Sequence, residues 1–407
     1  MTDVVIIGAG PAGLAAAIVC ADHGCKVKVI DEFMKPGGRL LGQLHQEKDG
    51  KWWNGMAEGD ELTGRAVRAG VQIELGVSVY DLQRSEPGWI VHTSKEVIAA
   101  RSVVLATGAS ELPVSLPGWT LPGVMTVGAA QVMANVHRVK PGSKGIIIGI
   151  NILSFAIARE LQLCGIELSA MVLAPNRILH PESASPHRVM DTLAGAAHMA
   201  PSSWMRIGGN LLKSSFLKKT AVRFYPKRGV TVWGIPVQLR KAAVEIVGDR
   251  QVSGVRVADV NPEGEVLPGS VRELAADFVC VSGGLYPLAE LASVAGCPFR
   301  HVPELGGRVP LHSERMQTPL QGLYVAGNIT GIESAKVAMA QGYVAGYSIM
   351  FDRTPEDLSV RDRLADAVAS VRRIREEAPI QFHDRISEGR AAMERLWAEF
   401  QAENGAQ

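Results

Sequence analysis

The sequence predicts an α/β fold with two nucleotide-type βαβ units and a helical tail, on three observations. "DVVIIGAGPAGLAAAIVC", Asp3 to Cys20, runs from an apolar strand through a glycine turn into an Ala-rich helix. "KGIIIGINILSFAIAREL", Lys144 to Leu161, repeats that order with Gly149, Asn151 and Ser154 at the turn. "GLYVAGNITGIESAKVAMAQG", Gly322 to Gly342, is a third strand, glycine turn and long helix. Short apolar strands that give way to helical spacing across a glycine turn are the pattern of a parallel sheet covered by helices.

The first unit carries G-x-G-x-x-G between strand and helix. Gly8 permits the sharp turn and Gly10 lets backbone N–H groups approach a pyrophosphate. Gly13 brings helix and strand close, while Pro11 and Ala12 open the helix whose N-terminus attracts phosphate charge. A lone glycine fingerprint is weak. Here the next strand, "CKVKVIDE", ends in Asp31 and Glu32, near the roughly 20-residue spacing expected of a ribose-binding acid. Strand, turn, helix and acid together outweigh an empty glycine-rich turn.

"PGGRL" (Pro36 to Leu40), "VVLATGAS" (Val103 to Ser110) and the Gly322–Gly342 stretch follow in that order. In this arrangement the chain resembles the two-dinucleotide-binding-domain flavoproteins, which include thioredoxin and ferredoxin reductases, over about residues 1–350. The resemblance implies a discontinuous Rossmann-like FAD domain with an inserted NAD(P)-type Rossmann-like domain. It implies non-covalent FAD, with the AMP half on Gly8–Gly13, Asp31 and Glu32 and the adenine beside Val79. Gly38, Arg39, Leu40, Gln43, Thr107 and Gly108 would line the cofactor. Gly327 and Asn328 would meet ribitol and pyrophosphate, and Lys336 and Val337 would lie at the helix end facing the flavin. The family usually has Asp where this chain has Asn328; an amide still hydrogen-bonds a hydroxyl.

The second unit departs further. Asn151 occupies the position where backbone must approach pyrophosphate, and "IELSAMVLAPN" ends without an acid to hold a ribose 2′-OH. Arg177 just beyond reads as a solvated loop arginine before a 2′-phosphate reader. The expectation is a retained fold without productive NAD(P)H binding. There is no C-x-x-C; Cys20 and Cys25 flank the end of the first helix, where a flavin-linked disulfide does not sit. No cysteines cluster for zinc or iron–sulfur, and no metal is expected.

"LPGWTLPGVMTVGAAQVM" and "VCVSGGLYPLAELASVAGCP" narrow the resemblance to the flavoprotein subunits of opine oxidase, hydrogen cyanide synthase and dye-linked proline and hydroxyproline dehydrogenases, and to the corresponding part of heterotetrameric sarcosine oxidase. That resemblance implies an amine or amino-acid dehydrogenase system in which a second, glycine-oxidase-like flavoprotein takes part, joined in some of these assemblies by a small iron–sulfur protein. Candidate catalytic groups are His45, Glu333 and Lys336, with Gln43 near them. A single histidine is more often a structural residue, and a lysine opposing the helix dipole is as readily a surface charge. Trp52 and Trp53 cover the flavin or, more simply, pack.

The expected segments are residues 1–115 (FAD domain, first part), 116–298 (inserted domain), 299–350 (FAD domain, second part) and 351–407 (helical tail). Within the inserted domain, residues 176–230 form a basic, helical excursion, with Leu212, Phe216 and Ala221 or Phe224 near one face and Lys213 and Lys218 off it. Its Arg177, Arg188, Arg206, Lys213, Lys218, Lys219, Arg223, Lys227 and Arg228 face only Glu182 and Asp191; it reads as a solvated basic face, or as a surface for a partner chain or a peripheral membrane contact. In the tail, Thr354 reads as an N-cap, Pro355 as the first helical residue and Asp357 as a first-turn acid, with a break near Pro379. A net charge of +1 over 407 residues does not call for nucleic acid. The five scattered cysteines suit a reduced, cytoplasmic protein. The N-terminal apolar run carries Asp3 and lacks a basic start, so it does not read as a signal peptide.

The function expected from these features is an FAD-dependent oxidoreductase, one subunit of a dye- or quinone-linked amine or imino-acid dehydrogenase. The alternatives are a stand-alone NAD(P)H-dependent reductase of ferredoxin or a similar carrier, and a non-catalytic flavin-binding assembly subunit.

Overall fold

The computed structural model describes residues 2–47, 50–175, 184–195, 220–226, 229–378, 381–383 and 385–404. Most of the basic excursion, including Arg177, Glu182, Arg206, Leu212, Lys213, Phe216, Lys218, Lys219, Lys227 and Arg228, lies outside the described residues. The chain divides into two compact units, residues 1–110 with 285–407, and residues 111–284.

Unit one begins with β1 (Thr2–Ile7), α1 (Pro11–Asp22) and β2 (Val27–Asp31). A small hairpin follows, β3 (Leu44–Gln46) and β4 (Trp52–Asn54), and then α2 (Gly55–Arg68). Strands β5 (Gln72–Leu75), β6 (Val79–Ser85), β7 (Gly88–Thr93) and β8 (Val97–Leu105) complete the first segment. The sheet order is β5-β2-β1-β8-β7-β6, parallel from β5 to β8 and antiparallel beyond. The buried run of β1, Val4 to Ile7, is the continuous apolar strand that burial on both faces demands.

Unit two has β9 (Val124–Thr126), β10 (Lys144–Ile148), α3 (Ile152–Leu163) and β11 (Glu167–Leu173). A meander follows, β12 (Ile235–Gly248), β13 (Val252–Asp259) and β14 (Arg272–Ala275), then β15 (Phe278–Val281). The order β9-β15-β10-β11-β12-β13-β14 is parallel through β12.

The chain returns to unit one at 285 rather than 299. Ala289, Ala292 and Cys297 are buried against Val77, Leu82 and Trp89 of unit one, so this stretch shares that core. The first crossing likewise falls at 110/111, ahead of 115. β16 (Leu323–Val325) then adds parallel to β8, where Leu323 to Val325 pair Val103 to Leu105.

Three helices finish the chain: α4 (Ala335–Arg353), α5 (Leu358–Glu377) and α6 (Ile386–Asn404). Asp357, not Thr354, is the N-cap of α5; its carboxylate accepts from the N–H of Ser359 and Val360, while Thr354 Oγ1 back-bonds to Met350 O and closes α4. Met393 of α6, with Leu396, Trp397 and Phe400, packs on Val302, Leu305, Val309 and Leu311. The apolar face of that helix is therefore spent on unit one. Among the described residues no helix is long and apolar enough to cross a membrane.

Candidate functional site

Gly8 has φ +109°, and a Cβ there would fall 2.3 Å from Ala106 O. At Gly13 a Cβ would lie 1.9 Å from Gly8 O. Both glycines are demanded by the fold itself. Gly10 differs. Its φ of −79° suits any residue, and a Cβ would meet no protein atom within 4 Å. It is also the N-cap of α1 and supplies no side-chain cap, so the first N–H groups of that helix receive no acceptor from it.

The Pro36–Gln43 segment closes over this turn. Gly37 N donates to Ala9 O at 2.8 Å, and a Cβ on Gly38 would sit 3.1 Å from Gly10 Cα. Arg39 reaches Ala109 O at 3.0 Å, Leu40 is fully buried and Gln43 Oε1 accepts from Trp53 Nε1 at 3.2 Å. Asp31 ends β2 beside the turn; its carboxylate accepts from Ala9 N at 2.6 Å and Phe33 N at 2.8 Å, one bond per oxygen. Each oxygen keeps acceptor capacity for a hydroxyl. Glu32 is exposed, and Val79 opens β6 opposite Thr93. Thr107 Oγ1 donates to Leu288 O, and Gly108, with φ +79°, has open space where a Cβ would stand.

Helix α4 comes to the same end of the sheet because small residues let it lie on α1. A Cβ on Gly342 would fall 2.1 Å from Ala12 O, and one on Gly346 would fall 2.7 Å from Val19 Cβ. Positions 12 and 19 thus meet 342 and 346, so the two helices run in the same direction, and α4 begins about two turns ahead of its contact with the start of α1. Gly327 (φ +80°) leads into α4, and its N–H donates to Gln341 Oε1 at 2.9 Å. The Gln341 amide nitrogen is buried without a partner among the described residues. Asn328 Oδ1 accepts from Glu333 N at 3.2 Å, which leaves its amide nitrogen as a donor. Val337 is buried in the first turn of α4, held by the Ser334 cap.

Of the three catalytic candidates, the structure brings His45 and Lys336 together and removes Glu333. His45 pairs with Trp53 across the β3–β4 hairpin, and Lys336 Nζ lies 4.8 Å above the Trp53 ring. Lys336 also pairs with Glu47, an acid that no sequence motif marks. Burial lowers the His45 pKa, Glu47 opposes that and Lys336 adds to it, so the neutral imidazole is favoured. Trp53 packs on the unit-one core, while Trp52 is exposed.

Glu333 is not at the mouth of the site. It is buried and gripped by Arg375 of α5 and Arg390 of α6. Burial pushes its pKa up, but the two guanidiniums outweigh this and hold it below the usual carboxylate range. It serves as a structural anion. Its partners lie far along the chain, where no local motif points to them.

In unit two, Gly149 keeps its role, with φ +101° and a Cβ position 2.0 Å from Ser282 O. Asn151 does more than crowd the turn. It is the N-cap of α3: Oδ1 accepts from Ser154 N at 2.9 Å, and Ser154 Oγ accepts from Asn151 N at 2.9 Å. Its Nδ2 donates to Ser282 Oγ at 3.0 Å and Ser282 O at 3.2 Å. A capping box therefore satisfies a backbone donor at the start of α3, where α1 has no side-chain cap.

The residues of unit one fit FAD: a helix end without a side-chain cap, a partnerless buried amide beside the second glycine turn, and an acid with spare acceptor capacity. Residues 2–192 match the family model described as pyridine nucleotide-disulphide oxidoreductase. That match takes in just under half of the chain, and the similarity is to FAD-dependent oxidoreductases of this type. It is 30% identical to a subunit of opine oxidase from Agrobacterium tumefaciens (strain Ach5), over 86% of this chain and 65% of that one. It is 24% identical to the HcnB subunit of hydrogen cyanide synthase from Pseudomonas protegens, over 86% of this chain and 70% of the relative. The solved L-proline dehydrogenase from P. horikoshii shares the fold, with a TM-score of 0.62 at 20% identity over 90% of this chain and 58% of that one. The chain spans just under two thirds of the opine oxidase subunit it matches.

Proposed function

We propose that this chain is the FAD-carrying subunit of a dye- or quinone-linked amine or amino-acid dehydrogenase, working beside a second flavoprotein and a small iron–sulfur protein. The observation that carries the reading is the self-capped second turn. Asn151 spends the α3 terminus on its own side chain, so this chain offers a nicotinamide no anion site of the kind unit one has. The names of the relatives point the same way, since opine oxidase and hydrogen cyanide synthase are both described by subunit. The fold and family model favour the reductase alternative, but they speak for ancestry where Asn151 speaks for the site.

FAD, when bound, supplies two-electron acceptance from a C–N bond and release of those electrons to an acceptor. Gly10, Ala12 and Gly13 would hold its pyrophosphate, Asp31 its ribose, and Gly327 and Asn328 its ribitol. Lys336, paired with Glu47 and set over Trp53, places a cation at the α4 N-terminus. The neutral imidazole of His45 is able to accept a proton.

The test is purification with co-isolated chains, followed by anaerobic titration with amino acids against an artificial dye. A complex whose dye-linked activity falls when Gly10 is altered supports the reading. Full turnover by this chain alone, shown free of partners by mass analysis, refutes it.

A further inference from the structure

The densest set of buried charges in the described residues lies where the tail meets the loop between β16 and α4. Arg390 Nη1 donates to Thr330 O at 2.9 Å and to Thr330 Oγ1 at 3.2 Å, and Arg390 Nε donates to Glu333 Oε2 at 3.0 Å. Arg375 Nη2 reaches the same oxygen at 3.1 Å. His312 Nδ1 donates to Pro310 O at 2.7 Å, which leaves Nε2 as an acceptor 3.4 Å from Arg390 Nη1. Each partner is thus satisfied from the tail or from the loop's own neighbourhood.

Two features argue that this cluster does more than hold the tail down. Buried ion pairs are a poor source of stability compared with apolar packing, and α6 already has an apolar face on unit one. The contacts also converge on a segment whose conformation matters. Thr330 Oγ1 donates to Gly327 O at 2.8 Å, and the N–H of Glu333 is the donor to Asn328. Glu333 immediately precedes Ser334, the N-cap of α4. Arg390 therefore holds Thr330 and Glu333, and Arg375 holds Glu333, the two residues that bond back to Gly327 and Asn328.

We propose that α5 and α6 position the flavin-binding loop, with Arg375 and Arg390 acting through Glu333 and Thr330 to set the Gly327–Asn328 turn and the α4 N-terminus. This rests on the reading that the turn meets FAD. Arg375 and Arg390 are positioning residues, since neither is placed against the cofactor.

The experiment uses the full chain with FAD and measures dissociation constant, visible spectrum and midpoint potential. Arg375→Gln is expected to weaken FAD by about tenfold and to shift both spectrum and potential, with Arg375→Lys recovering part of the loss. Arg372→Gln is the control, because Arg372 on the same helix pairs with the partly exposed Glu314 instead; it should stay within about twofold of wild type. Arg390→Lys, which keeps the buried charge, is the second variant should loss of Arg375 disturb folding. Wild-type affinity, spectrum and potential in both Arg375→Gln and Arg390→Lys overturn the inference alone and leave the tail a mere brace. A wild-type chain that takes up no FAD removes the reading beneath it and overturns both.

Discussion

Replacing Gly10 by valine separates the ligand's demands from the fold's. The backbone there is ordinary, and the new side chain would enter space where no protein atom lies within 4 Å of its Cβ. A non-capping residue at an N-cap costs roughly 1 kcal/mol, and restricting the unfolded chain returns about 0.4–1 kcal/mol. The ligand-free chain should then melt within roughly 2–4 °C of wild type. FAD should fare differently, since side-chain atoms would stand where pyrophosphate must touch backbone. An overpacking cost of about 1–3 kcal/mol corresponds to roughly five- to 150-fold weaker binding. Gly13→Ala gives the opposite result. Its Cβ would sit 1.9 Å from Gly8 O, so the fold itself must shift, and the melting temperature should fall whether or not FAD is present. Circular dichroism melts of the ligand-free chains and flavin retained through gel filtration read both effects. The reasoning is refuted if Gly10→Val retains FAD like wild type, or destabilises the ligand-free chain as much as Gly13→Ala does.

NADH or NADPH added anaerobically should leave the bound flavin oxidised for many seconds; reduction within milliseconds to seconds at micromolar nucleotide would restore the reductase reading. Asn151→Ala removes the cap and both Nδ2 bonds to Ser282 and should cost about 2–4 kcal/mol in urea unfolding; no loss would mean that these bonds carry no weight. His312 sets a pH dependence. Burial, with Arg390 adding to it, holds its pKa down at about 3 against an ordinary 6.5. Below pH 6.5 the unfolded chain takes up a proton that the folded chain refuses, so stability falls by about 1.4 kcal/mol per unit toward pH 3 and is independent of this group above 6.5. His312→Asn, whose amide keeps a donor for Pro310 O, should flatten that slope relative to wild type; an unchanged slope would deny the buried neutral imidazole.

What is legible in the sequence is what the chain settles within a few residues. Gly8, Gly13 and Gly149 are dictated by backbone packing that a strand, turn and helix create by themselves, and Asp31 follows at the end of the next strand. Local pattern misplaces Glu333 because its determinants are 42 and 57 residues downstream, on helices that such pattern does not orient. The α5 cap is ambiguous for a subtler reason. Thr354 and Asp357 are both competent caps, and the choice falls to Asp357 because Thr354 is already engaged in closing α4. The return to unit one at 285 stays hidden because alanines and a cysteine carry no sign of which core they join.

The two glycine turns show how little separates a nucleotide site from its copy. In unit one, Gly10 leaves the helix end bare, and a phosphate there gains N–H donors at no cost in existing bonds. At Asn151 the same phosphate must first displace the cap, about 1 kcal/mol, and then the two Nδ2 bonds to Ser282, each about 0.5–1.5 kcal/mol. The penalty sums to roughly 2–4 kcal/mol, or about thirty- to a thousandfold in affinity. Applied to a micromolar nicotinamide site, that factor carries binding toward the millimolar range, with no acid after β11 to recover it. The strand, the turn and the helix all survive this change, because the capping box holds α3 in place of a ligand. A fold can therefore keep every element of a second dinucleotide unit while a side chain of its own caps the helix at the turn, and on the proposed reading the electrons of the first site come from a source other than a nicotinamide held there.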